Sequence, residues 1–168
     1  MDNFYYYSPF RVDANIISKD KRIWEIYIKK INQLPVPIQD LLIKAKTIDF
    51  LSDIGGVFSL SKDQSAELSR IVRNILIGDS YIGNMTRDIS KRLNLDWKIS
   101  SQTANAIFGG LFQEALEDII AIQKEKFPDK KVSLAQKPIK IDEEDKVPFN
   151  PTGQVVSKNN IIDLRKDS

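Results

Sequence analysis

The stretch SKDQSAELSRIVRNILIG, residues 61–78, decides the fold of this chain. Ser61 and Gln64 form a capping-box pattern, S-x-x-Q, which is typical of a helix start. Apolar residues then recur at helical spacing: Leu68, Ile71, Val72, Ile75 and Leu76. Gly78 follows directly and favours a helix end. The stretch therefore predicts an amphipathic helix that buries one face against other helices.

The same periodicity precedes this helix in two segments. The first runs over residues 19–34, has lysines and an arginine on its other face, and ends at Pro35-Val36-Pro37. Its apolar positions are Ile23, Trp24, Tyr27, Ile28, Ile31 and Leu34. The second begins at Pro37, a good first helical residue, and is expected to stop at Gly55-Gly56. Its apolar positions are Ile38, Leu41, Leu42, Ala45, Ile48 and Leu51.

Two more helical segments follow residue 78. A short one has Ile82, Met85, Ile89 and Leu93 on one face. A long one, capped by Ser100 or Ser101, has an apolar face that runs through Ala104, Ile107, Phe108, Leu111, Phe112, Ala115, Leu116, Ile119 and Ile120. Its Gly109-Gly110 pair costs about 1 kcal/mol per glycine relative to alanine. We therefore expect a close helix crossing or a kink there.

These segments predict an all-α fold: a compact bundle of four to five helices over residues 18–127. Residues 1–17 lack periodicity and form an aromatic N-terminal arm. Residues 128–168 carry prolines, the acidic run DEED and scattered lysines. Such a composition buries too little apolar surface to offset chain entropy, so we expect a flexible, largely disordered tail.

Composition excludes several kinds of chemistry. The chain has no cysteine and no histidine, which rules out thiol chemistry, zinc sites built on these ligands and a Ser-His-Asp triad. Lys+Arg 25 against Asp+Glu 23 gives a net charge of +2, so charge alone suggests no partner. No apolar run is long enough to span a bilayer. We expect a cytoplasmic, non-enzymatic protein without metal or cofactor.

Aromatic and aliphatic clusters near the two ends are the candidate partner-binding residues: Phe4, Tyr5, Tyr6, Tyr7 and Phe10 in the arm, and Ile161, Ile162 and Leu164 in the tail. The arm has three interpretations. It can fold back and seal an apolar groove on the bundle, which we favour; it can anchor a protein partner; or it can stack on bases. The leading functional hypothesis is a protein–protein interaction module, an adaptor or scaffold.

Basic residues support an alternative function, that of an accessory protein of RNA or a ribonucleoprotein. They are Lys29, Lys30, Arg70, Arg73, Arg87, Lys91 and Arg92. Contiguous basic faces near tyrosines can bind an RNA backbone and stack on its bases. Acidic residues are interleaved with them, which favours a solvated face of mixed charge.

Residues 87–108 superficially resemble a helix-turn-helix, but two features make DNA an unexpected partner. The predicted recognition helix lacks Lys or Arg at its start, and the connector before Ser100 is longer than three to four residues. Ordinary packing is the favoured interpretation. Two further hypotheses stay open: a homodimer formed through apolar faces of the first helix, and a carrier of small apolar ligands with a pocket beside Gly109-Gly110.

Overall fold

The computed structural model describes residues 4–130, and every regular element in that range is helical. The α-helices are α1 (Phe4–Tyr7), α2 (Ala14–Ile17), α3 (Lys21–Asn32), α4 (Val36–Ile43), α5 (Ala45–Val57), α6 (Lys62–Leu76), α7 (Met85–Leu93), α8 (Trp97–Gly110) and α9 (Leu116–Lys126). Short 3₁₀ turns cover Ile82–Asn84 and Phe112–Ala115. The all-α prediction is confirmed. The predicted count of four to five helices is not, because the described residues form nine.

Helix α6 lies at the centre and has the predicted capping box. The Ser61 Oγ accepts from the Gln64 N–H at 3.2 Å, and the Gln64 Oε1 accepts from the Ser61 N–H at 2.8 Å. Its apolar stripe is at most 1% exposed, and Gly78 follows with φ of +77°. Helices α1, α4, α5, α7 and α9 all contact α6. A helix with neighbours on so many sides fixes the arrangement of the rest.

The helix predicted to run from Pro37 to Gly55 is two helices in the structure. Lys44 has extended backbone angles, φ −69° and ψ 143°, and separates α4 from α5. Gly55 and Gly56 lie in the last turn of α5, which ends at Val57, one residue beyond the predicted stop. An internal glycine costs only about 1 kcal/mol, and Gly55 lies against the Tyr7 ring.

The first predicted helix is confirmed as α3, but its buried face is narrower than expected. The Asp20 carboxylate caps it by accepting from the Arg22 and Ile23 N–H groups at 2.9 and 3.2 Å. Tyr27 and Ile31 are buried, whereas Ile23 and Ile26 are 52% and 63% exposed. The prediction that Ile23 faces the core was wrong.

Helix α8 starts earlier than predicted. Its N-cap is Asp96, whose carboxylate accepts from the Ile99 N–H at 3.0 Å. The predicted caps Ser100 and Ser101 are buried inside the helix, and the Ser100 hydroxyl donates to the Asp96 carbonyl at 2.7 Å. The connector from α7 is therefore only Asn94–Asp96, shorter than the sequence suggested.

The predicted long core helix is broken after Gly110, where a 3₁₀ turn leads into α9. A Cβ atom on Gly110 would lie 2.5 Å from the Phe50 Cε2, whereas one on Gly109 would meet nothing within 4 Å. The helix is interrupted at the second glycine of the pair, where the Phe50 side chain of α5, rather than a crossing helix backbone, lies close to Gly110. The Phe50 ring fills the space next to Gly110, the position proposed for a carrier pocket.

The described helices surround one apolar core that contains the predicted residues Leu111, Phe112 and Ile119, each at most 2% exposed. Helices long and apolar enough to cross a membrane are absent from residues 4–130. The predicted disordered tail lies outside the described residues apart from residues 128–130, as do Ile161, Ile162 and Leu164.

Candidate functional site: the arm and its cleft

The described part of the aromatic arm, residues 4–17, folds back onto the bundle, as the first of the three interpretations of the arm predicts. It contains the short helices α1 and α2, and α1 contacts α5 and α6. Three hydrogen bonds hold its backbone on the bundle. The Phe10 N–H of the arm donates to the Leu42 carbonyl at 3.2 Å. In the other direction, the Ser69 hydroxyl donates to the Tyr6 carbonyl at 2.7 Å and the Tyr27 hydroxyl to the Phe10 carbonyl at 3.1 Å. The arm is therefore a structural part of the domain.

The Tyr7 ring lies in a notch lined by small residues of α5 and α6. A Cβ atom on Gly55 would lie 3.1 Å from the Tyr7 Cε1 and 3.2 Å from the Ser65 Oγ, closer than ordinary van der Waals contact. The absence of a side chain at position 55 thus leaves the space that the ring occupies. Gly55, which the sequence suggested as a helix stop, instead allows the arm to dock.

An aromatic cluster holds the next part of the arm. The Phe10 ring centroid is 5.7 Å from that of Tyr27 and 6.1 Å from that of Trp24. Such pairs stabilise by about 0.5–1.5 kcal/mol beyond the area they bury. Burial raises the pKa of the Tyr27 hydroxyl, which donates to the Phe10 carbonyl of the arm. Phe10 and Tyr7 therefore anchor the arm.

A network of charges joins the arm to α6 and α7. The Asp13 carboxylate accepts from the Arg70 Nε and the Arg73 Nη1, both at 2.8 Å. Glu67 accepts from the Arg70 Nη1 at 2.8 Å and pairs with Arg92. Burial by itself raises the pKa of Asp13, but the hydrogen bonds and charges of Arg70 and Arg73 outweigh burial and hold that pKa below its usual value. Asp13 is therefore ionised at neutral pH.

Between the arm and α6 the structure forms an open cleft of about 640 Å³. It is lined by Tyr5, Tyr6, Val12, Asn15, Asp63, Gln64, Ala66, Glu67, Arg70 and Arg92. Tyr5 is 43% exposed, and the Lys62 Nζ lies 5.9 Å from the Tyr6 ring centroid. The cleft therefore offers aromatic surface beside charges of both signs. Within residues 4–130 the structure has no group of three or more acidic side chains that could hold a metal ion.

The candidate partner-binding residues of the arm separate into two groups. Tyr5 and Tyr6 line the cleft, whereas Tyr7 and Phe10 pack against the bundle. Phe4 begins α1. Among the other lining residues, Arg70 and Arg92 belong to the predicted RNA-binding set. Nothing in the sequence placed them beside the arm, because Arg70 and its partner Asp13 are 57 positions apart, a separation that no local pattern can report.

The candidate RNA-binding residues are spread over several surfaces. Arg70, Arg73 and Arg92 belong to the network with Asp13 and Glu67. On α3, Lys30 pairs with Asp79 at 2.5 Å while Lys29 is exposed. On α7, Arg87 lies 3.9 Å from Asp88, and Lys91 is exposed. One network joins Arg70, Arg73 and Arg92, and carboxylates bind all three.

Comparison with known proteins finds no match: no family model, no curated protein and no solved structure matches this chain. Its function is therefore inferred from the geometry of the cleft and of the exposed helix faces.

Proposed function

We propose that this protein is a non-enzymatic protein–protein interaction module, an adaptor or scaffold, whose arm cleft binds a segment of a partner protein. The observation that carries the proposal is the presence of Tyr5, Tyr6, Arg70 and Arg92 in one open cleft. Tyrosine and arginine are enriched among the residues that dominate interface energies. Tyrosine in particular supplies a large contact area at a low cost in conformational entropy. The proposal includes the cytoplasmic location that the sequence suggests.

The chemistry of the cleft indicates the kind of segment it would take. Its volume, about 640 Å³, lies in the usual range for ligand sites, roughly 300–1,000 Å³, and is enough for a few side chains. Tyr5 and Tyr6 suit an aromatic or aliphatic side chain of the partner. Lys62, whose Nζ lies 5.9 Å from the Tyr6 ring centroid, suits a carboxylate, and Asp63 of the cleft wall suits a cation. We therefore expect a short apolar motif flanked by charges of both signs.

Carboxylates make this cleft better suited to a protein than to RNA. A phosphate backbone binds through cations that release counterions. Here Arg70 and Arg73 are already bound to Asp13 at 2.8 Å, and Asp63 and Glu67 would repel phosphates. The RNA-associated alternative would therefore require the arm to leave α6 first.

The test is a selection of displayed peptides against the full chain, followed by affinity measurements. Peptides enriched by the wild-type protein are measured by fluorescence anisotropy against Tyr5→Ala and against Val36→Ala as the matched control. Val36 is 68% exposed and is not among the residues that line the cleft. Losing an aromatic contact of this kind costs about 2 kcal/mol or more at a hot spot, which corresponds to about 30-fold in Kd.

We expect Tyr5→Ala to weaken binding of the selected peptides by at least about tenfold and Val36→Ala to leave their affinity unchanged. The affinity should depend little on salt. Equal affinity for the two variants would contradict the cleft as the binding site. A selection without enriched peptides, together with an RNA complex from cell lysate that nuclease destroys, would replace the proposal with the RNA-associated alternative.

A further inference from the structure

The structure carries a second inference, independent of the cleft. We propose that α7, the connector Asn94–Asp96 and α8 form a helix-turn-helix that binds double-stranded DNA, with α8 entering the major groove. The two observations against DNA in the sequence, a long connector and a recognition helix without an early cation, both depended on starting that helix at Ser100. In the structure α8 starts at Trp97, and both observations change.

The connection between the two helices has the required length and is held firmly. A helix-turn-helix joins its helices through three to four residues, and this connector has three, beginning with Asn94 in the left-handed conformation at φ 53°. The Ser90 hydroxyl donates to the Leu95 carbonyl at 2.9 Å, and the Leu95 N–H donates to the Ser90 carbonyl at 3.1 Å. The Gln64 side chain also donates to the Leu93 carbonyl at 2.8 Å, so α6 supports the turn.

One face of α8 has the side chains that read base edges. Lys98, Gln102 and Asn105 follow at i, i+4 and i+7, so they form one stripe. The opposite side of the helix is buried: Ser100, Thr103, Ala104 and Ile107. Glutamine and asparagine pair with adenine through two hydrogen bonds in the major groove, and Gly109 continues the stripe without a side chain. Lys98 and Asn105 on this face are exposed, and Gln102 between them is partly buried.

The charges around this face are favourable for phosphates. Helix α8, WKISSQTANAIFGG, has no acidic residue, and Lys98 lies in its first turn. On α7, Arg87 and Lys91 are exposed and four positions apart, which places them on one face. Asp96, the acidic residue between the helices, is engaged as the N-cap of α8. Arg87 also lies 3.9 Å from Asp88, at the outer limit of an ion pair. Together with Lys91 and Lys98, it can position the duplex while Gln102 and Asn105 contact bases.

The first experiment measures binding of the full chain to a short labelled DNA duplex of random sequence by fluorescence anisotropy. Non-specific binding through a few phosphates gives a Kd of about 1–100 µM at physiological salt. With three cations engaged, log K should fall linearly with log salt at a slope of about −3. The Lys91→Gln, Lys98→Gln double variant should reduce the slope to about −1 and weaken binding at least about tenfold.

The matched control removes the same charge elsewhere, through Lys21→Gln and Lys124→Gln on α3 and α9, whose lysines are exposed. The control should keep the wild-type slope. A control that weakens binding as much as the test variant would show attraction to net charge alone and overturn the proposal. An absence of duplex binding at about 50 mM salt would also overturn the proposal. Displacement of the duplex by single-stranded RNA at an equal or lower concentration would do the same.

The second experiment separates base reading from phosphate binding. Duplexes selected from a random pool by the wild-type protein are measured against Gln102→Ala combined with Asn105→Ala. Because the two amides contact bases, this variant should keep the salt slope and lose at least about tenfold in preference for the selected duplex over the random pool. A variant with unchanged preference would overturn the placement of α8 in the groove.

Discussion

Asp13→Asn tests whether the arm belongs to the folded domain. The Asp13 side chain is 16% exposed and makes two ion pairs at 2.8 Å, one with Arg70 and one with Arg73, whose side chain is 11% exposed. The neutral amide keeps the shape of the carboxylate and removes its charge. A hydrogen bond to a charged group is worth about 1.5–3 kcal/mol. Arg70 keeps Glu67 as a partner, so the main loss falls on the pair with Arg73.

We expect the free energy of unfolding to fall by about 2–3 kcal/mol at pH 7. For a domain of this size, that lowers Tm by about 6–12 °C. The assay is thermal unfolding followed by circular dichroism and by tryptophan fluorescence, since Trp24 packs near the Phe10 ring of the arm. The control is Asp53→Asn on the exposed side of α5, for which we expect a change of less than about 0.5 kcal/mol.

The pH dependence gives the same prediction a second, independent measurement. The pKa of Asp13 is lower in the folded protein than in the unfolded chain, so its stabilisation is fully present above the unfolded pKa of about 3.9. It is lost as pH falls through the folded pKa. The stability difference between the wild-type protein and Asp13→Asn should therefore be constant from neutral pH down to about pH 5 and shrink below about pH 4. If Asp13→Asn melts together with Asp53→Asn at pH 7, the reasoning is refuted and the arm is held by its apolar contacts alone.

Two further predictions concern residues inside the bundle. Gln123 is fully buried, donates to the Ile75 and Ser80 carbonyls at 3.1 Å and accepts from the Ile82 N–H at 2.9 Å. In a urea titration, Gln123→Met should lower the free energy of unfolding by about 2–4 kcal/mol, because it leaves these groups without partners. The control Gln33→Met, at an exposed position, should change it by less than about 0.5 kcal/mol. Gly110→Ala would force the Phe50 ring away and should lower Tm. Gly109→Ala should instead raise stability by up to about 1 kcal/mol. Equal melting of the two glycine variants would contradict the tight contact between Gly110 and the Phe50 ring.

The sequence predicted α6 most accurately, and the reason is local. A capping box, an apolar stripe and a terminal glycine all lie within residues 61–78, so every interaction that starts and ends the helix is encoded within a few positions. The starts and ends of α5 and α8 were predicted less well. Lys44 divides the second predicted helix into α4 and α5. Asp96 caps α8, and the predicted cap Ser100 lies in its buried face.

The sequence by itself determined the helical class, the apolar faces of α6 and α8, and the absence of thiol and imidazole chemistry, because composition and short-range periodicity fix these properties. Only the tertiary structure decided that the arm docks, that Asp13 pairs with two arginines about 60 positions away, and that α7 and α8 are joined by a three-residue connector. Contacts between distant positions are set by how the helices pack together, and side-chain burial and ion pairing are decided in that packing. The cleft and the exposure of the polar face of α8 are results of that packing.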